Sequence, residues 1–372
     1  MKRLTQMQMS MTALALAAAL ATPALAQDFN LDALVEAAKG EPQLTVYDST
    51  GKIVEMAEAF SDKYGIDAIG QKVSATSQLE MVIRESQAGN VQGDVLMITD
   101  APAALAQLIP EDFVYSYLPP DMADVIPASY QDPLTATTNA NVFAYNTEVY
   151  DACPVDNIWA LTDPEWNRRF AMIDPLSKSS YTDWFSQMES HHDDEVRAAY
   201  EAHYGKPLET EFDSATKAWV AAIGANAPLV TEGDDNTSAA VGAPGQEEPF
   251  FGLMSSAKFR DVEDKGHEMA ICDTLEPWVG WTYSKLALIA SGTDSPNAAK
   301  LFIHYVMTGE GIAPQAEDGK KSANTEVALP DDEPSGIGAA WDQLLTYDLS
   351  TAAEDYDTRQ DWQDFWRLNY QR

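Results

Sequence analysis

Three apolar runs separated by helical patterns constrain this chain more than any other feature. Gln43-Leu44-Thr45-Val46-Tyr47, Ala68-Ile69-Gly70-Gln71-Lys72-Val73 and Asp94-Val95-Leu96-Met97-Ile98 read as strands. Between the first two, residues 52–63 carry Ile53, Met56, Ala57 and Phe60 at helical spacing, and Gly65 ends the pattern. Thr76-Ser77 opens a helix over residues 79–87, with Ser77 and Glu80 spaced as a capping box. Thr99-Asp100-Ala101-Pro102 starts another, with a capping residue and an early proline. Strands alternating with helices specify an α/β sheet.

The rest of the chain extends that plan. Residues 31–39 form a helical lead-in, and 135–146 (Thr-Ala-Thr-Thr-Asn-Ala-Asn-Val-Phe-Ala-Tyr-Asn) are extended enough to cross to a second lobe. A helix-rich region follows to about residue 225. Residues 250–254 and 268–272 read as later strands, and 278–290 bring the chain back. Residues 297–308 are a strong amphipathic helix, and 339–370 are helical with Trp341, Trp362, Phe365 and Trp366 on core-facing sides. The length of 372 residues suits two lobes of roughly 150–200 residues each.

The first 26 residues have a secretory design: Lys2 and Arg3, an apolar core over 13–21, and the small-x-small ending Ala24-Leu25-Ala26. The apolar run is shorter than the ~20 residues a membrane span needs, so cleavage after Ala26 and export to the periplasm are expected. With 59 acidic against 23 basic residues, the net charge is −36. Nucleic acid and anionic membrane surfaces are therefore poor partners. The two cysteines, Cys153 and Cys272, form an even pair in an exported chain and read as a disulfide.

Certain segments resemble a known family. They are Phe143-Ala144-Tyr145-Asn146-Thr147, Ile158-Trp159-Ala160-Leu161-Thr162-Asp163-Pro164-Glu165-Trp166-Asn167, Glu276-Pro277-Trp278-Val279-Gly280-Trp281 and Ala298-Ala299-Lys300-Leu301-Phe302-Ile303. Together the chain resembles the family 1 extracellular solute-binding proteins of ABC transporters, in the ferric-iron-type branch. The resemblance covers residues 43–370. It implies a two-lobed type II periplasmic-binding-protein fold with a two-strand hinge. Residues 27–145 and 277–372 would form one lobe and 146–276 the other, with a solute captured in the cleft and delivered to an inner-membrane permease. It also implies a monomeric carrier that is not an enzyme.

Ferric-ion capture in that branch is implied to use adjacent tyrosines near Gly252. Here the stretch is Gly252-Leu253-Met254-Ser255-Ser256-Ala257-Lys258-Phe259-Arg260, and the chain contains no tyrosine pair. Hydroxyl residues recur instead where helices follow strands: Ser49, Thr50, Thr76, Ser77 and Thr99, then Ser179, Ser180 and Thr182. Such places suit anions, because free backbone N–H groups and the helix dipole meet there. Each hydroxyl is also an ordinary cap. Thr138 on the crossover joins this set, with Lys52, Lys178 and Lys258 nearby in sequence.

The same branch includes carriers of phosphorylated sugars, which implies a phosphate-bearing organic anion as cargo. Glu232 and Asp234, after Pro228-Leu229-Val230, are candidates for its hydroxyl groups. His191-His192-Asp193-Asp194 reads as a solvated helix start. Ferric iron or a cationic amine held by Trp278 and Trp281 are the alternatives within the class. A secreted hydrolase using Glu232 and Asp234 is a further one, but no catalytic or cofactor motif accompanies those carboxylates.

Overall fold

The computed structural model describes residues 29–371. The expected signal peptide and its cut after Ala26 lie outside the described residues. Among the described residues, eleven strands join one curled sheet. They are β1 (Leu44–Asp48), β2 (Ala68–Lys72), β3 (Val95–Ile98), β4 (Val114–Ser116), β5 (Thr135–Asn146), β6 (Phe170–Ile173), β7 (Leu229–Thr231), β8 (Phe251–Ser255), β9 (Met269–Ile271), β10 (Gly280–Ala290) and β11 (Lys321–Ser322). The order β2-β1-β3-β10-β5-β8-β6-β7 has a parallel trio at each flank, β2-β1-β3 and β8-β6-β7.

Two long antiparallel strands, β5 and β10, connect the flanks. β10 pairs with β3 through Leu286–Ile289, while β5 pairs with β8 through Asn141–Ala144. This is the two-lobed α/β architecture with a two-strand hinge. Gly280 is required at the start of β10: its φ is +156°, and a Cβ there would lie 2.1 Å from the Asn141 carbonyl oxygen.

Each flank has its own core. Phe60 packs on Phe302 and Tyr305 on one side, with ring centroids 5.3 and 5.8 Å apart. On the other, Trp184 stacks on Trp281 at 5.5 Å and meets Trp219 edge-on at 5.6 Å. Trp362 and Trp366 of the C-terminal helix Ala352–Asn369 are buried in this second core, against Phe185. Cys153 and Cys272 are disulfide-bonded, with Cα atoms 5.1 Å apart.

Three sequence expectations shift. The helix assigned to 79–87 spans Ala75–Ala88 and is capped by Ser74, whose Oγ accepts from the Ser77 amide at 3.2 Å. Ser77 is thus inside the first turn and no capping residue. The region read as helix-rich to 225 also contains β6, a run of four buried residues too short for periodicity to identify. The helix read over 339–370 is interrupted before Ala352. There Leu344, Leu345 and Tyr347 are buried, and the Thr282 amide of β10 donates to the Leu345 carbonyl at 2.9 Å.

Candidate functional site

The carboxyl ends of the parallel strands open into a cleft of about 450 Å³ between the flanks. In open α/β sheets this edge is where ligands sit, because helix N-termini gather there. β1 is followed by Ser49 and Thr50 and then helix Ile53–Tyr64. β2 leads through Ser74 into its helix, and β3 leads through Thr99 and the cap Asp100. From the opposite flank come Ser179 and Ser180, opening helix Ser179–His191 after β6, and Asp234, opening helix Asp234–Gly242 after β7. Ser255 ends β8 and Lys258 follows it. The hinge supplies the floor, with Asn139 from β5 and Tyr283 and Lys285 from β10.

Six of the ten proposed ligand residues line this cleft: Ser49, Thr50, Thr99, Ser179, Ser180 and Asp234. The other four lie outside it. Ser77 hydrogen-bonds Ser74 in the first helical turn, and its neighbour Thr76 takes the cleft position. Thr138 points to the opposite face of β5 from Asn139, as strand alternation demands, and lines a separate cavity with Lys321 and Ser322. Thr182 is fully buried, its hydroxyl donating to the Ser179 carbonyl at 2.7 Å. Glu232 is exposed at the end of β7, outside the cleft lining.

Other sequence candidates also sort by position. Lys178 and Lys258 reach the cleft, whereas Lys52 pairs with Glu55 and Glu317 away from it. His191 meets the Thr351 hydroxyl at 3.0 Å and His192 packs on Trp278 at 5.4 Å, neither in the cleft. Trp281 is buried against Trp184, so neither tryptophan offers the cleft an aromatic face.

The unforeseen contribution is basic. Lys72, Arg260, Lys285 and Lys320 join Lys178 and Lys258, giving six cationic side chains against the four carboxylates of Asp100, Asp183, Asp234 and Asp235. Lys285 had a detectable signal, as a lone charge inside the buried strand Gly280–Ala290. Nothing local marks Lys320 or Arg260.

Within the cleft wall, Lys178 donates to Asp234 at 3.1 Å and Lys258 to Asp235 at 2.5 Å. The Lys258 hydrogen bond holds the Asp235 carboxyl below its usual range. Arg260 forks onto both oxygens of Asp318 at 2.6 Å. Lys320 lies 3.8 Å from that same carboxylate, and burial, followed by the charge of Lys285, pushes its ammonium down to about 7. Lys72 makes no ion pair among the described residues. Tyr283, a tyrosine of the lining, is raised above its ordinary value, chiefly by burial and then by Asp234, which disfavours a phenolate.

A two-lobed α/β protein with a polar interlobe cleft at the strand carboxyl ends has the architecture of the solute-binding class. The chain belongs to the bacterial extracellular solute-binding protein family, which it matches over residues 44–321. No curated protein sequence matches it.

Solved structures with the same fold include iron-bound HitA from Pseudomonas aeruginosa. It is 16% identical with TM-score 0.64, covering 86% of this chain and 99% of that one. The substrate-binding protein of an ABC transporter from Agrobacterium tumefaciens is similar at 15% identity and TM-score 0.67, over 91% and 97%. AfuA from Actinobacillus pleuropneumoniae, with fructose-6-phosphate bound, is similar at 19% identity and TM-score 0.63, over 88% and 98%.

Proposed function

We propose that this protein is the periplasmic receptor of an ABC importer and captures a small phosphate-bearing organic anion of the sugar-phosphate kind. In this reading the chain is cleaved after Ala26 and works as a monomer. Its lobes are 27–145 with 277–372, and 146–276, the C-terminal helix Ala352–Asn369 reaching across to pack on the second, and it passes its solute to an inner-membrane permease without chemistry.

The observation that carries the reading is the charge reversal at the cleft. A chain with a net charge of −36 lines one cavity with six basic side chains and four acidic ones. Hydroxyls at the starts of helices surround them, the arrangement that recognises a phosphate through N–H and O–H donors. Fructose-6-phosphate in the structurally similar AfuA is consistent with such cargo. Ferric iron is disfavoured by the lack of a tyrosine pair and by the raised Tyr283. A polyamine is disfavoured by the lysines.

Titration calorimetry of the mature protein tests this with fructose 6-phosphate, inorganic phosphate, ferric citrate and spermidine. Binding of the sugar phosphate is expected, with weaker binding of phosphate. Heat from spermidine or ferric citrate alone would overturn the reading.

A further inference from the structure

Asp100 and Asp183 are carboxylates on the wall of a cleft read as anion-binding, and they come from opposite flanks of the sheet. Neither meets a cation of the cleft lining. Both are held instead from behind by Arg359 of the C-terminal helix, which is outside the lining. Its Nε and Nη2 donate to the two oxygens of Asp183, each at 2.7 Å. Nη2 also donates to Asp100 at 2.5 Å, and Nη1 to its other oxygen at 3.3 Å. All three side chains are about nine-tenths buried or more, at 12%, 9% and 5% exposed.

The remaining charges of the cleft are matched without Arg359. Asp234 and Asp235 answer Lys178 and Lys258, Asp48 answers Lys285, and Asp318 answers Arg260. That leaves Lys72, and Lys320 at 3.8 Å from an Asp318 carboxylate that Arg260 already holds, as the cations available to a ligand, against Asp100 and Asp183. Without the guanidinium, two buried carboxylates would cancel those two lysines.

We propose that Arg359 is a specificity-determining residue: by offsetting the charge of Asp100 and Asp183 from behind the cleft wall, it keeps the cleft net positive and so selective for an anion over a cation. It acts through the two aspartates and touches no ligand, so it is a positioning residue. The assignment rests on the anion reading above.

The test compares fructose 6-phosphate and spermidine binding, by calorimetry, in four proteins. The unaltered chain is expected to bind the sugar phosphate only. Arg359→Met is expected to weaken that binding by about tenfold or more and to narrow the preference over spermidine, because the positive excess of the cleft is lost. Asp100→Asn/Asp183→Asn/Arg359→Met removes all three charges and is expected to recover sugar-phosphate affinity to within about threefold and to bind spermidine no better than the unaltered chain. A role confined to packing would give no such recovery.

Asp100→Asn, which keeps Arg359 on Asp183, covers the case in which Arg359→Met does not fold. Its sugar-phosphate affinity is expected to rise about threefold or more. Unchanged affinity in a folded Arg359→Met or in Asp100→Asn, or a folded triple variant without recovery, overturns the arginine assignment alone. No anion binding by the unaltered chain overturns it together with the anion reading.

Discussion

The ammonium of Lys285 lies 2.7 and 2.9 Å from the two carboxylate oxygens of Asp48, and the two side chains are 1% and 0% exposed. The pair joins β10 to β1 across the intervening β3. Gln315 closes the network, accepting from Lys285 at 2.8 Å and donating to Asp48 at 2.8 Å. Removing one partner strands a buried charge, so Asp48→Asn or Lys285→Met alone should cost about 3–5 kcal/mol of stability. The double variant should lose clearly less than the two combined. Urea unfolding of the four proteins reads the coupling, and additive losses would show that the pair is not linked.

The disulfide between Cys153 and Cys272 closes a sequence separation of 119. Constraint of so long an unfolded loop should make Cys153→Ser/Cys272→Ser less stable by about 2–5 kcal/mol. Thermal unfolding checks this, and the reduced native chain should melt with the variant. A melting point unmoved by either treatment would mean that the link does not restrain the unfolded state.

Gly280→Ala addresses the hinge. The left-handed φ and the 2.1 Å approach to the Asn141 carbonyl oxygen leave a side chain no room without parting β10 from β5. Destabilisation of about 1–3 kcal/mol or more is expected from strain of this kind. Gly40→Ala, where an added Cβ meets nothing within 4 Å, is the control and should melt close to the native protein. Equal melting points for all three would contradict the close packing of the hinge.

Much of this architecture was legible because it is written in local pattern. β1, β2, β3 and β5 each carry an apolar or extended run bounded by turn or capping residues, and the structure places them within a residue or two of the reading. Cleft hydroxyls such as Thr50, Thr99 and Ser179 were legible for the same reason, since each stands at a strand-to-helix junction. Ser77 and Thr182 have the same local signature and differ in their position within the first turn, as the third and fourth residues of their helices. The basic lining was hidden because Lys72, Arg260 and Lys320 are distant in sequence and meet only when the strands align. Arg359 was harder still: its partners are 259 and 176 residues away.

Lys320 sets a pH dependence. It is faced by Lys285 from β10, Asp48 from β1, and Asp318 and Arg260, and its ammonium is pushed down to about 7. Its folded value is below its unfolded one, so the unfolded chain binds more protons between them. The ligand-free protein should therefore gain stability from this group as pH rises from about 7 toward the ordinary lysine value near 10.4. An anion favours the charged lysine, so fructose 6-phosphate affinity should fall as pH rises from 7 to 9. The phosphate, with a second pKa of about 6, is already almost fully a dianion across that range. Calorimetry at several pH values checks this, with Lys320→Met expected to flatten the profile. A slope surviving in Lys320→Met would move the titration to another group.

Lys72 separates cleft residues from residues that merely resemble them in sequence. It faces the cleft with no ion pair among the described residues, so its loss strands no buried partner. Lys72→Ala should change stability by no more than about 0.5 kcal/mol. It should weaken fructose 6-phosphate binding by about tenfold, the scale of one charge-assisted hydrogen bond. Thr138→Val and Glu232→Gln alter candidates that the fold directs away from the cleft, and each should bind within about twofold of the native protein, as surface or opposite-face changes do. Calorimetry on the three variants ranks them directly. Strong loss in Glu232→Gln with none in Lys72→Ala would place the ligand outside this cleft, because Lys72 belongs to its lining and Glu232 does not.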